Sequence, residues 1–158
     1  MTYQIAGLDP RPFARLFELS DAELAACNAR KVTALAARGY PCRVSLEDAR
    51  KGEELVLVHH TSHDVPTPYR NAYAIFVRPG VCQAHYIDTV PPVFEGRTLG
   101  LRGFGADGML LDAKLAMPDL ADTAIHGLFG NPAIAYIDAH NAAHGCFAAR
   151  IERHGDQA

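Results

Sequence analysis

The sequence lacks the charge excess that is typical of nucleic-acid-binding and anionic-membrane-binding proteins. Its 15 lysines and arginines are balanced by 18 acidic residues, which leaves a formal net charge of -3 at pH 7. It also contains no basic run and no basic patch interleaved with aromatic residues. Because both kinds of partner are polyanions that select basic surfaces, we expect neither a nucleic acid nor a membrane as partner.

Long apolar runs and paired cysteines are missing as well. No apolar stretch is long enough to cross a bilayer, and the N-terminal stretch MTYQIAGLDPRPF lacks the charged start and apolar segment of a signal peptide. We therefore predict a cytoplasmic protein. The four cysteines are widely separated and form no C-x-x-C pair, which excludes a zinc ribbon and a dithiol redox motif. In a reducing compartment such cysteines are most simply small buried hydrophobic residues.

Length and composition predict one α+β domain that spans residues 1–158. Hydrophobic residues make up 49% of the chain and charged residues 21%, as in globular proteins that bury a core of their own. Strand-like runs are joined mostly by short turns and not by regular helical crossovers, which favours a mainly antiparallel sheet. Capping and periodicity signals predict two short N-terminal helices, at 10–18 and 20–28, and one helix that begins at Pro118. A C-terminal hairpin of residues 133–139 and 146–152 is expected to follow that last helix.

The segment Glu54–Arg78 combines two apolar runs with a polar connection that is rich in reactive side chains. The runs Leu55–Val58 and Ala72–Val77 have the length and β-branched content of buried strands. Between them lie three histidines, an aspartate, a tyrosine and an arginine. This connection is too polar for a core, so we take it as the first candidate for a functional site.

Five stretches of the sequence resemble one bacterial family, the domain of unknown function 1203 family. They are GLDPRPFARLF, GYPCRVSLEDA, SHDVPTPYRNAYAIFVR, ADGMLLDA and AYIDAHNAAHGCFAARIER. The resemblance runs over nearly the whole chain, in the same order and at about the same length. It implies a single-domain bacterial protein, and it implies no activity, because none is assigned to the family.

Two interpretations are open for the histidines of the polar connection. If the chain turns at Thr61 and Ser62, His60 and His63 converge, and Asp64 lies close enough to orient an imidazole. His60 and His63 would then be a general base, or two ligands of a divalent metal such as zinc or iron. The alternative is a set of loop histidines that bond to backbone groups, with Asp64 in an Asx-type turn.

A second polar cluster lies between the two strands of the predicted C-terminal hairpin. A Cys–His–Asn nucleophile is conceivable from Cys146, His140 and Asn141, whereas the simpler alternative makes Asn141 and Gly145 turn residues. Two arginines complete the candidates, because Arg70 and Arg150 can each bind a carboxylate or phosphate, or form a structural ion pair. The predicted catalytic residues are His60, His63, Asp64 and His140, and the predicted ligand-binding residues are Tyr69, Arg70, Asn141 and Arg150.

Three functions follow from these candidates. The first is a small-molecule pocket, catalytic or not, formed where the connection 60–70 meets the turn 138–146. The second is a homodimeric interaction module that pairs a strand edge or an apolar patch, with Tyr69, Tyr73 and Tyr86 as interface aromatics. The third is a metal-dependent enzyme. The first requires two histidine-bearing turns, far apart in the chain, to lie side by side on a common β scaffold.

Overall fold

A computed structural model describes residues 1–155 and arranges nine strands of that range in two sheets. The strands are Thr2–Ala6 (β1), Ala29–Thr33 (β2), Glu54–His63 (β3), Asn71–Val77 (β4), His85–Ile87 (β5), Leu99–Phe104 (β6), Leu110–Ala116 (β7), Tyr136–Asn141 (β8) and Phe147–His154 (β9). One sheet has six strands in the order β5-β1-β9-β8-β6-β7, and the other has the order β2-β3-β4. All pairings between these strands are antiparallel. The protein is therefore α+β with mainly antiparallel strands.

Short helices connect the strands. An α-helix spans Asp21–Ala26 (α1) and a second spans Ala121–Phe129 (α2), while Arg11–Glu18 and Pro92–Phe94 are 3₁₀ helices. The start of α1 follows from a capping box, in which the backbone N–H of Glu23 donates to the Ser20 hydroxyl and the backbone N–H of Ser20 donates to the Glu23 carboxylate. Within residues 1–155, no helix combines the length and the hydropathy needed to cross a membrane.

The main core lies on one face of the six-stranded sheet, where α2 packs against β6 and β7. Six of its fully buried members are Ile5, Leu99, Leu101, Ile125, Ile137 and Ile151. Side chains alternate along a strand, so Ile137 and Ala139 of β8 face this core, and Tyr136, Asp138 and His140 face the opposite way. That opposite face of β8 carries most of the buried polar groups described below.

A glycine pattern closes the hairpin between β6 and β7. Residues 103–108, GFGADG, have the spacing G-x-G-x-x-G, which in dinucleotide-binding proteins joins a strand to a helix under a pyrophosphate. Here the backbone N–H of Gly108 donates to the carbonyl of Gly105 at 3.0 Å, and Gly108 has a φ of +78°. The chain therefore turns back into β7 without opening a helix, and the pattern is a hairpin turn here.

Candidate functional site

A buried ion pair lies on the polar face of β8. The register of β8 and β9 places Asp138 opposite Arg150, so both side chains lie on the same face of the sheet. Asp138 is fully buried and accepts two hydrogen bonds from the Arg150 guanidinium, from Nε to Oδ1 at 2.7 Å and from Nη2 to Oδ2 at 3.0 Å. The Arg150 guanidinium also lies 4.5 Å from the ring centre of Tyr136. This geometry is that of a structural pair, one of the two interpretations that the sequence left for Arg150.

The end of β3 reaches this same face. A β-bulge between Thr61 and His63 interrupts the pairing with β4, and the His63 ring stacks on Phe104 with ring centres 4.0 Å apart. His63 Nδ1 lies 2.9 Å from the carbonyl of Tyr69, and His63 Nε2 lies 2.9 Å from the Tyr136 hydroxyl. A carbonyl only accepts, so Nδ1 donates, and Nε2 of the neutral ring accepts from Tyr136. The end of β3 and the start of β8 therefore meet, through His63 and Tyr136, and Tyr136 lies outside the predicted turn 138–146.

His140 also lies near His63, but its ring forms a hydrogen bond within the turn that follows β8. It is 2% exposed, and its Nδ1 donates to the carbonyl of Gly145 at 3.0 Å. Burial lowers the pKa of His140, and the nearby positive charge of Arg102 lowers it further, against the opposing effects of the Gly145 carbonyl and Asp138. This bond ties His140 to its own turn, and within residues 1–155 no hydrogen bond joins His140 to the Cys146 sulfur.

The structure does not bring His60, Asp64 and Arg70 into this cluster. His60 shares a strand face with Val56 and Val58, and its ring centre lies 5.6 Å from that of Phe13. Burial lowers the pKa of His60. The Asp64 carboxylate pairs with Arg70 at 2.9 Å, and their side chains are 70% and 59% exposed.

The predicted role of Asp64 as the partner that orients a histidine is therefore wrong. The Asp64 carboxylate accepts from Arg70, and the backbone carbonyl of Tyr69, not Asp64, accepts from His63 Nδ1. The metal hypothesis also lacks a third ligand, because residues 1–155 contain no group of three or more His, Cys, Asp or Glu side chains that could hold an ion.

An open cleft of about 420 Å³ lies next to the turn between β8 and β9. One side is formed by Leu57 of β3 with Ala74 and Phe76 of β4, and the other by residues 141–144 and Cys146. The parallel bridge between Cys42 and Phe76 places residues 41–43 along the free edge of β4, which brings Arg43 into the lining. Of the residues predicted to be catalytic or ligand-binding, Asn141 alone lines this cleft, and Cys146 of the conceivable Cys–His–Asn group lines it as well.

Arg43 is the buried cation of the cleft. It is 2% exposed, and its guanidinium donates to the carbonyls of Phe147, at 2.7 Å, and Pro41. No carboxylate lies within 4 Å of it in the described part of the chain. Burial lowers the pKa of Arg43, and its contact with the sulfur of Cys146 acts in the opposite direction. The second arginine of the cleft, Arg97, is already paired with Asp48 at 2.8 Å.

The half-buried thiol of Cys146 lies beside Arg43. Its sulfur is 3.2 Å from Arg43 Nη2 and 3.4 Å from Asn141 Nδ2. The sequence favoured turn roles for Asn141 and Gly145 over a nucleophile made of Cys146, His140 and Asn141. In the structure Arg43, and not His140, lies beside the Cys146 sulfur. Sequence reasoning missed Arg43, and the signal that could have found it is a single charged residue inside the otherwise uncharged stretch PCRVSL.

Comparison with known proteins gives a family and no further relative. The family model described as a protein of unknown function (DUF1203) matches residues 39–153, which include both sides of the cleft and the buried pair of β8 and β9. No curated protein and no solved structure matches the chain.

Proposed function

The chain belongs to the DUF1203 family, and from that starting point we propose that it binds a small, largely apolar molecule in the cleft beside the β8–β9 turn. The family is described only as a protein of unknown function, so the evidence for a function lies in the site itself. The observation that carries the proposal is one open cleft of about 420 Å³ in which apolar walls meet polar groups at one turn. Clefts that take small molecules commonly measure about 300–1,000 Å³ and have this composition.

The apolar walls of the cleft determine what kind of molecule can fill it. Leu57, Ala74 and Phe76 on one side and Ala142 and Ala143 on the other offer mainly carbon atoms. A ligand gains free energy there in proportion to the apolar area that it removes from water. The body of the ligand is therefore a compact hydrocarbon or an aromatic ring.

The polar side chains of the cleft determine which functional group the ligand should carry. The Thr98 hydroxyl, the Asn141 amide and the His144 imidazole can all donate hydrogen bonds to a ligand. No carboxylate side chain is among the lining residues. A molecule with an acceptor end, such as a carboxylate or a hydroxyl, therefore suits the cleft better than a cation does.

The buried group of His63, Tyr136, Asp138 and Arg150 has a different role in this proposal. It joins the end of β3 to β8 and β9, since the Arg150 guanidinium also reaches the carbonyl of Ser62 at 3.4 Å. It fixes how the small sheet lies against the large one. Through that geometry it sets the width of the cleft, without contact with the ligand.

A cleft-filling variant tests the proposal. Ala142→Trp places an indole in the cleft from an exposed position of the turn, so we expect the binding of benzoate, hexanoate or benzyl alcohol to weaken at least about tenfold. Ligand-dependent stabilisation in thermal unfolding measures this effect. Ala22→Trp, on the exposed surface of α1, is the matched control and should bind as the wild type does. Equal affinity in both variants, or no binding of any of the three probes, would contradict the proposal.

A further inference from the structure

We propose that Cys146 is a reactive thiolate in this cleft, held by Arg43 and Asn141 and open to attack small electrophiles that enter beside it. The inference rests on the cleft being the ligand site proposed above. It adds a covalent site to a binding site, and it names the class of molecule that would react there.

The first observation is the unbalanced charge of Arg43. A guanidinium that is 2% exposed is costly unless an opposite charge or several acceptors compensate for it. Two carbonyls accept from Arg43, yet a carbonyl brings only a dipole. Among the groups to which Arg43 donates, Cys146 is the one that can carry a full negative charge, at a distance of 3.2 Å. A thiolate at Cys146 would neutralise the buried cation.

The second observation is a second donor aimed at the same sulfur. The Asn141 amide lies 3.4 Å from Sγ, and the turn holds it there through two backbone bonds, from Asn141 N–H to the Cys146 carbonyl at 2.9 Å and from Gly145 N–H to the Asn141 carbonyl at 2.7 Å. Gly145 has a φ of +77°, which a side chain would strain. A thiolate accepts hydrogen bonds and donates none, so two converging N–H groups favour it over the thiol.

The third observation is access. Cys146 is half-buried and lines the cleft, whereas Cys42 is fully buried and does not line it. An electrophile that binds with its body against Leu57 and Phe76 therefore meets the sulfur of Cys146.

The chemistry needs no additional base. The sulfur lone pair of the thiolate forms a bond to the electrophilic atom, and the leaving group departs with the electron pair of the bond that breaks. With iodoacetamide, an S–C bond forms, the C–I bond breaks and iodide leaves, so no proton is transferred. The Arg43 and Asn141 donors hold the attacking sulfur in place, and Cys146 is the group that reacts.

The chain offers its own reference thiols for the test. Cys27 and Cys82 are exposed, and among the described residues neither donates to nor accepts from a guanidinium. A free thiol is only about a few per cent ionised near neutral pH. If Cys146 is a thiolate, iodoacetamide at pH 7 should label it about tenfold faster than Cys27 and Cys82, although it is less exposed. The folded wild-type protein is labelled first and digested afterwards, and mass spectrometry of its peptides gives all three rates together.

Labelling of Cys146 at the same rate as the exposed cysteines, or more slowly, would overturn the inference. Asn141→Ala gives a second measurement that spares the buried arginine. It should lower the rate at Cys146 severalfold and leave the rates at Cys27 and Cys82 unchanged. An unchanged rate at Cys146 in that variant would also count against the thiolate.

The outcome can be separated from that of the binding proposal. Rapid labelling of Cys146 that benzoate, hexanoate and benzyl alcohol do not slow would support the thiolate and contradict the binding proposal. Suppose instead that Cys146 is labelled slowly, while the wild type binds these probes and Ala142→Trp does not. That result would support the binding proposal and contradict the thiolate.

Discussion

Replacing Arg150 by methionine is expected to lower the free energy of unfolding by about 3 kcal/mol. The substitution leaves the Asp138 carboxylate fully buried and removes the two hydrogen bonds that now reach it, at 2.7 and 3.0 Å. Breaking a buried pair by removing one partner commonly costs about 3–5 kcal/mol. We expect the lower end because the Arg150 side chain is 36% exposed. Urea unfolding followed by circular dichroism measures the change.

A double variant separates the buried charge from a general loss of packing. In Asp138→Leu with Arg150→Met, no charge is left without a partner, and apolar replacements of buried pairs are often neutral or stabilising. We therefore expect the double variant to recover most of the stability that Arg150→Met loses. A double variant that is less stable than Arg150→Met alone would show that the loss comes from packing and not from an uncompensated carboxylate.

Acidification below pH 6.5 is expected to destabilise the protein through its buried histidines. Burial lowers the pKa of His140 and of His60 below the ordinary value of 6.5. Well above pH 6.5 both histidines are neutral in the folded and the unfolded chain, so there they contribute no pH dependence. As the pH falls from 6.5 towards the folded pKa, these histidines bind protons in the unfolded chain but stay neutral in the folded chain. Stability therefore falls with pH in this window, by at most about 1.4 kcal/mol per pH unit for each histidine.

His140→Asn isolates the contribution of His140, the more deeply buried of the two histidines. Its amide can still donate to the Gly145 carbonyl, as His140 Nδ1 does, but it does not titrate. Urea unfolding between pH 5 and pH 7.5 should show a slope smaller by up to about 1.4 kcal/mol per pH unit than in the wild type. His85→Asn, at an exposed position of β5, tests whether any histidine substitution changes the slope. A wild-type slope in His140→Asn would mean that the other titrating groups cause the acid sensitivity.

Much of the fold follows from patterns that are local in the chain. The apolar runs of β3 and β4, the hairpin of β6 and β7 and the capping box at Ser20 are each signalled by neighbouring residues. The strand β1 escaped prediction because its five residues, TYQIA, turn only Tyr3 and Ile5 inwards. Its position between β5 and β9 depends on pairing with residues 147–154, at the other end of the chain. Local propensity does not encode such a pairing.

The candidate site was predictable only in part for the same reason. The sequence indicated a polar cluster at 138–146, since turn residues and reactive side chains are visible in it, but it favoured turn roles there over a Cys146 nucleophile. It placed the site at the histidines of β3, although His60 packs on Phe13 and His63 bonds to Tyr136. The contact between Arg43 and Cys146 joins residues 103 positions apart, and only the pairing of strands brings them together.

The measurement that tests the binding cleft most directly is a titration of ¹⁵N-labelled protein with benzoate, followed by NMR. Binding in the cleft predicts that the amide shifts change most at Leu57, Ala74 and residues 141–146, on the two sides that face each other. Shift changes centred on the buried group of His63 and Tyr136, or spread over the molecule without a centre, would contradict it.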